Sequence, residues 1–498
     1  MSERNRRIAE LSPARLKLLA ERLAATAKKA TPAEAIPRRV DRPSCLPVSF
    51  PQERMMFFHQ VDPQSHAFNI NIALRLTGRL NVIALDASIS EVVRRHESLR
   101  TSFDYIDGEA RQTISPESAV RVNLVGLQDL EANDAEATVR RLATDQAVKP
   151  FDLSKLPLMR LTLLRLGEQE HVAFLTMHHI ISDGWSMRVM VEEVCALYEA
   201  FSQGRPSPLR ELEIQYADFA LWQRERLRGE LLEAQLAYWR GQLGGKQLRL
   251  NLPTDRPWRP IQDFKGAHKY FILPKGLSDA LNELSAQEGV TLFMSLLAAF
   301  NVLLQRYSGQ DEIAVATIIA NRNRKELESL VGFFVNSLVL RADLSGDLTY
   351  RQLLSRVRKV TLDSYAHQDV PFELVAEALS LARDAYNSSL SQVMFIFQNV
   401  PVPEMKMSGI AISGINLDLT VTRFDLVLTM SELPEGLGGT IDYRPDLFDE
   451  STIAQMVEHF KVLLEGLVAS PDRDIQSLPL TREEDSLELV WAFNDELE

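Results

Sequence analysis

The sequence predicts a mixed α/β fold with more than one unit, and three observations predict it. Strand-like and helix-like stretches alternate from Leu46 onward instead of segregating into blocks. The 498 residues are 45% hydrophobic and 25% charged, which is enough apolar material for a full core. At about 150 residues per domain, the length suits two large units or three smaller ones.

The elements follow in chain order. Residues 1–42 carry 11 basic and 5 acidic side chains, against a net charge of −13 for the whole chain. Ser12 before Pro13 is a helix start, a cap followed by proline at the first helical position. Leu16, Leu19 and Leu23 continue it at helical spacing, and the proline-rich stretch Thr31 to Pro43 reads as a linker. Residues 1–42 are therefore expected to form a helical arm, either solvated or docking an upstream partner. Phe68 to Thr77 alternates as a half-buried strand, and Asn81 to Arg95 has helical spacing through Leu85, Ile89 and Val92. His171 to Met177 is a short apolar strand. Trp185 to Phe201 is a helix with Met187, Met190, Val194, Leu197 and Phe201 on one face and Gly204 as its stop. Leu243 to Gly266, with Pro253, Pro257 and Pro260, is expected to connect two lobes. Helices are expected at 276–288, 291–307, 348–365 and 451–468, and strands at 312–320, 391–398, 418–430 and 438–443.

Composition excludes several function classes. The acidic balance argues against nonspecific binding to nucleic acid or an anionic membrane. Cys45 and Cys195 cannot build a disulfide framework, so a reducing, cytoplasmic setting is expected. The N-terminus has no apolar signal region. Leu292 to Leu304, interrupted by Ser295 and Asn301, is short of the roughly 20 residues that span a bilayer. No P-loop, H-E-x-x-H or G-x-G-x-x-G is present, and Ser186 in Gly184-Trp185-Ser186-Met187-Arg188 lacks the second glycine of a nucleophile elbow. No metal-ligand set is apparent.

The informative stretch is His178-His179-Ile180-Ile181-Ser182-Asp183-Gly184, between the strand ending at Met177 and the helix opening at Trp185. A strand-to-helix junction presents side chains at an edge, beside the positive end of the helix. A histidine there suits proton handling near neutral pH, and equally suits a structural role at a strand end. Asp183 is placed to turn back onto a cation and brace the loop, and Gly184 to allow a tight backbone before the helix.

This stretch resembles the HHxxxDG signature of condensation domains from nonribosomal peptide synthetases. Further motifs occur in that family's order. Ser49 to Met55 (SFPQERM) is similar to S-x-A-Q-x-R-(L/M), with Pro51 replacing alanine and Met56 the following aromatic. Arg95 to Phe103 (RHESLRTSF) matches RHExLRTxF, and Tyr216 to Trp222 (YADFALW) resembles YxDYAxW. Val331 to Arg341 (VGFFVNSLVLR), His367 to Glu373 (HQDVPFE) and Gln392 to Asn399 (QVMFIFQN) also resemble family segments. Arg383 to Leu390 (RDAYNSSL) departs from the pattern, with Asn387, Ser388 and Ser389 where the family has arginine, asparagine and proline. The resemblance runs from about Leu46 to Ala469.

The resemblance implies two chloramphenicol-acetyltransferase-like lobes in a V-shaped pseudo-dimer, with an active-site tunnel between them. The expected division is an arm at 1–42, an N-terminal lobe at 43–215, a C-terminal lobe at 216–470 and, at 471–498, a linker towards a downstream adenylation domain. It implies amide formation between a donor acyl or peptidyl thioester and the α-amine of an acceptor aminoacyl thioester. Both substrates ride on phosphopantetheine arms of peptidyl carrier proteins, or the donor is an acyl-CoA, with no bound cofactor. Intact histidines argue against a heterocyclisation domain, and the segment Phe334 to Asn336 against an epimerisation domain. The L-donor and starter subtypes remain, beside a stand-alone CoA-dependent acyltransferase and a non-catalytic recruitment domain. His179 is implied as the group that receives the amine, with His178, Asp183 and Gly184 completing the catalytic loop. Arg322 is implied as the partner of Asp183, and Gly184 as a source of an N–H for the oxyanion. Trp185, Ser186 and Arg100 are implied as support, Asn336 and Ser49 as tunnel lining, and Tyr216 and Trp222 as packing. Gly436 to Thr440 (GLGGT) reads as a hairpin turn, since Thr440 stands where a carrier protein would need serine.

Overall fold

The computed structural model describes residues 35–117, 120–245, 248–259, 264–379, 392–398, 407–415, 417 and 421–482. The arm helix expected after Ser12, the start of the proline-rich stretch (31–34), Arg383 to Leu390 and the end of the expected C-terminal linker lie outside the described residues.

The first half carries strands β1 (Cys45–Pro47), β2 (Asn69–Thr77), β3 (Thr101–Ile106), β4 (Glu109–Ile114), β5 (Val122–Gly126), β6 (Met159–Arg165) and β7 (Glu170–His178). The second carries β8 (Ala267–Pro274), β9 (Glu312–Ile319), β10 (Asn336–Asp343), β11 (Val393–Gln398), β12 (Ala411–Gly414), β13 (Leu426–Leu433) and β14 (Gly436–Tyr443). Three sheets result, ordered β12-β2-β7-β6-β5, β10-β9-β11-β13-β14-β8 and β1-β4-β3. The fold is mixed α/β. Strand β12 breaks the division by halves: it pairs antiparallel with β2, Ala411 opposite Thr77 and Gly414 opposite Leu74.

Local chemistry explains the elements. Asn81 caps the helix Val82–Arg95, its side chain accepting from the Ala84 N–H at 3.0 Å. The apolar stretch at Leu292 is the helix Leu292–Ser308, capped by Thr291, ended by Gly309 at φ +68°, and buried on all sides from Met294 to Gln305. Among the described residues no single helix is long and apolar enough to cross a membrane. One apolar core surrounds this helix, with Phe300, Phe395 and Phe460 at its centre. A second, under the first sheet, holds Met55, Leu99, Met177, Ile180 and Ile181. A smaller cluster, including Leu212, Tyr216, Phe219, Leu327 and Phe334, joins the halves.

Four expectations need correction. The helix Tyr216–Arg226 packs on β1 and on the turn Glu97–Arg100, whereas the helix Gly229–Leu243 packs on the helix Phe372–Ala378. The change of halves therefore falls near Leu227, not at 215/216. The stretch expected to link the lobes instead lies against the second half. Leu248 and Leu250 enter its core, and the N–H groups of Asp255 and Arg256 bond the Leu447 carbonyl. Gly436 to Thr440 is strand, not turn. Leu433 pairs with Gly436, so Pro434 and Glu435 make the turn, and a β-carbon on Gly436 would stand 2.3 Å from the Leu273 carbonyl oxygen. The strand expected at 418–430 begins at Leu426, because the Thr422 hydroxyl bonds both the N–H and the carbonyl of Phe424 and turns the chain first.

Candidate active site

Strand β7 ends at His178 because its neighbours fix the exit. The N–H of His178 bonds the Leu158 carbonyl at 3.0 Å, and that of His179 bonds the Phe68 carbonyl at 2.8 Å. His178 Nδ1 accepts from the Ile180 N–H at 3.1 Å, which starts a single tight turn, His179–Ile181. Ile180 and Ile181 are fully buried. Asp183 then caps the helix Gly184–Ser202, its Oδ1 accepting from the Ser186 N–H at 2.8 Å.

The two imidazoles are held in opposite tautomers. His178 uses Nδ1 as acceptor, so its proton sits on Nε2. The ring is buried between Phe68 and Phe151, at centroid distances of 6.3 and 6.2 Å. His179 places Nδ1 2.8 Å from the Ser182 carbonyl oxygen. A carbonyl only accepts, so Nδ1 carries the proton and Nε2 keeps its lone pair. The His179 ring meets Phe333 edge-on at 4.9 Å and is only half-buried.

Both rings are neutral at pH 7. Burial, then repulsion from the protonated forms of His179 and His59 and from Arg423, push His178 down to about 3. Burial, then Arg423, push His179 down to about 4, against the opposing pull of Asp183 and the Ser182 carbonyl. The unfolded chain binds more protons than the native one between these values and 6.5. Stability therefore falls as pH drops through that window, by about 1.4 kcal/mol per pH unit for each histidine. His178→Gln, whose amide oxygen can still accept from Ile180, is expected to flatten the slope by one such share. Urea midpoints between pH 4 and 6.5 measure this; a parallel slope would contradict it.

Asp183 is fully buried, and besides capping its helix it braces the junction of the halves. Its Oδ1 lies 2.7 Å from the Ser186 hydroxyl and 3.1 Å from Arg322 Nη2, and its Oδ2 accepts from the Phe334 N–H at 3.0 Å. Arg322 also donates to the carbonyls of Leu327 and Leu330, and its guanidinium stands 4.1 Å over the Phe334 ring. Burial lowers the Arg322 pKa and Asp183 opposes the shift. Trp185 Nε1 donates to the Glu328 carbonyl at 2.8 Å.

The segment Val331 to Phe334 is pinned residue by residue to the first half. His96 Nδ1 accepts from the Val331 N–H at 3.3 Å, and the Ser98 hydroxyl donates to the Val331 carbonyl at 2.7 Å. The Ser186 hydroxyl accepts from the Gly332 N–H at 3.0 Å. Tyr216 OH donates to the Phe333 carbonyl at 2.6 Å, and therefore receives the Ser49 hydroxyl proton across 2.8 Å. Asp183 holds Phe334. His96 is itself oriented by Glu193, 2.8 Å from its Nε2, and Glu193 is held in turn by Arg95. A β-carbon on Gly332 would lie 2.0 Å from the Tyr216 ring. Gly332→Ala is expected to lose about 1–3 kcal/mol through overpacking, read as a lower thermal midpoint.

The structure brings together His178, His179, Asp183, Gly184, Trp185, Ser186 and Arg322. It does not bring Arg100 to them: that guanidinium bonds the Ser115 carbonyl beside β4, so it supports the three-stranded sheet. Asn336 and Ser49 do not line a passage. Asn336 spends both amide hydrogens on the Gln368 and Val370 carbonyls and its oxygen on the Ser337 and Phe372 N–H groups. Ser49, fully buried, caps the helix Phe50–Val61 and bonds Tyr216. Gly184 is exposed, has no positive φ and no atom within 4 Å of an added β-carbon, so open space rather than backbone strain distinguishes it. Sequence reasoning missed the Tyr216 and Glu193 hydrogen bonds and Arg423. Tyr216 lay in a recognised motif. Arg423 lies far along the chain from His179, and no spacing signals it. A groove of about 520 Å³ between the helix Ala132–Val148 and the β5–β6 edge contains neither histidine. Among the described residues no cluster could hold a metal ion.

Comparisons with known proteins agree with this architecture. The family model described as "Condensation domain" matches residues 44–490. A linear gramicidin synthase polypeptide from Brevibacillus parabrevis is 48% identical over 458 residues, which are 92% of this chain but 9% of that protein. The X-domain in its complex with OxyB from teicoplanin biosynthesis superposes with a TM-score of 0.82 at 28% identity, covering 91% of this chain and all of that one. A four-domain nonribosomal peptide synthetase bound to AMP and glycine shares the fold, with a TM-score of 0.80 at 23% identity over 91% of this chain and 35% of its own. The two-lobed, chloramphenicol-acetyltransferase-like architecture expected from the sequence is the one these structures share.

Proposed function

This chain belongs to the condensation-domain family of nonribosomal peptide synthetases, and from that premise we propose that it joins a donor acyl or peptidyl thioester to the α-amine of an acceptor aminoacyl thioester. The single observation that carries this reading is the half-buried His179, whose Nε2 lone pair is left free by the Nδ1–H bond to Ser182. A thioester is already activated, so the protein has to align the partners, accept a proton and hold a developing negative oxygen.

An α-amine has a pKa of about 8, so a useful fraction is neutral near pH 7. His179 Nε2 accepts a hydrogen bond from that amine and aims its lone pair at the thioester carbon. With a pKa near 4, the ring orients the amine and relays its proton instead of storing it. The proton ends on the departing thiolate, giving an amide and a free thiol. His178 fixes the turn that presents His179, and Asp183 with Arg322 fixes the seam behind it. The Gly184 N–H, at the open end of its helix, is a donor for the oxyanion.

The region that matches this chain is less than a tenth of each of three gramicidin synthase polypeptides, which supports reading it as one unit of a larger synthetase. Its partners are then donor and acceptor carrier proteins and a downstream adenylation domain, in the cytoplasm. The test is intact-mass detection of acyl transfer onto an aminoacyl-loaded acceptor carrier, with the donor supplied on a carrier or as acyl-CoA. Product from carrier-bound donor alone assigns chain elongation, and product from acyl-CoA without an upstream carrier assigns starter acylation. Transfer to free amino acids alone would replace the reading with a stand-alone acyltransferase. Carrier binding without any transfer would make the chain a recruitment domain.

A further inference from the structure

Among the described residues Arg423 is a cation without a counter-charge. The three buried arginines among the described residues are paired: Arg322 with Asp183, Arg444 with Asp425 and Arg95 with Glu193. Arg423 makes no hydrogen bond or ion pair among the described residues. Its guanidinium carbon lies 4.5 Å over the ring of Phe68. Phe68 is the residue whose carbonyl holds the His179 N–H and whose ring stands beside His178. The charged group that acts on Arg423 most directly is a second cation, Arg54, itself bonded to Glu373 at 3.0 Å. Solvent reaches the exposed Arg423 side chain, the surrounding protein lowers its pKa to about 10, and it is charged at neutral pH.

A bare guanidinium beside two histidines disfavours either imidazolium. An unpaired guanidinium placed there is free to interact with negative charge when it arrives. The substrates are neutral where they react: a thioester carbonyl and an uncharged amine. Negative charge arises when the amine nitrogen adds to the thioester carbon and the carbonyl π pair moves onto oxygen. That oxygen returns the pair as the C–S bond breaks, and the thiolate takes the amine's proton. We propose that the Arg423 guanidinium donates directly to the negative oxygen of this tetrahedral adduct, a role that rests on the amide-forming reaction above and makes Arg423 a catalytic residue.

Two measurements on the full chain test it. In single-turnover amide formation with uncharged acyl donors, Arg423→Gln is expected to lower the rate about 10²-fold, with apparent KM for each carrier within about twofold. Arg423→Lys should restore a large part of the rate. A loss confined to donors bearing a carboxylate would overturn the proposal, assigning the guanidinium to side-chain selection; an unchanged rate would also overturn it. Calorimetric binding of a pantetheine-linked phosphonamidate, an anionic tetrahedral mimic, needs no turnover. It is expected to be about 10²-fold weaker for Arg423→Gln than for the unmodified chain, while the matching neutral amide binds both alike. Equal phosphonamidate affinities would reject the role of Arg423. Phosphonamidate discrimination in a chain that forms no amide would instead locate the failure in the assigned reaction.

Discussion

Asp183→Ala is expected to lower folding stability by about 3–5 kcal/mol, the cost of leaving a buried cation uncompensated. The carboxylate serves Arg322, the Ser186 N–H and hydroxyl, and the Phe334 N–H at once, and alanine replaces none of these bonds. Asp183→Asn should fall between. Its oxygen can keep the Ser186 and Arg322 contacts, but its amide group then faces the Phe334 N–H, two donors with no acceptor between them. The double replacement Asp183→Leu with Arg322→Met should recover part of the loss, since apolar pairs of similar volume tolerate such burial better than a single charge. Urea denaturation at pH 7 reads all three. A midpoint for Asp183→Ala equal to that of the unmodified chain would contradict the bracing role. Activity should fall with stability, because the same bonds hold Phe333 against the His179 ring.

His179→Ala gives the second large effect, on rate rather than stability. The ring is half-buried and makes one side-chain hydrogen bond, so its loss should leave the fold intact. Amide formation is expected to fall about 10²–10⁴-fold, the usual range for a positioned proton-handling group. The loss should lie in kcat, since the imidazole acts at the reacting atoms. His178→Ala should behave differently: it removes a buried acceptor from the Ile180 N–H, and its effect should appear first in thermal stability. Unchanged turnover by folded His179→Ala would remove the imidazole from the reaction.

Long, periodic elements were legible in the sequence. The helices Lys275–Gln287, Leu292–Ser308, Tyr350–Ala366 and Glu450–Ala469 lie within two residues of their expected limits, because apolar spacing and caps coincide there. The three-stranded sheet β1-β4-β3 and the helix Ala132–Val148 were not foreseen: the strands are short and the helix buries only four residues, all small or β-branched. The histidine loop was legible from its position between a strand and a helix. What could not be read was which polar side chains turn inward. Ser49 and Asn336 carry groups suited to a substrate, and only coordinates show those groups already committed, Asn336 to backbone and Ser49 to backbone and Tyr216. Arg423 illustrates the reverse, since the absence of a partner among the described residues is invisible in a one-dimensional string.

The placement of β12 has a consequence for dissecting the molecule. An N-terminal fragment cut near Leu227 would carry β2 with one side stripped of its hydrogen-bonding neighbour, an open template for self-association. Separately expressed pieces should therefore be soluble together and clump apart, with a short synthetic peptide bearing residues 407–417 partly rescuing the first.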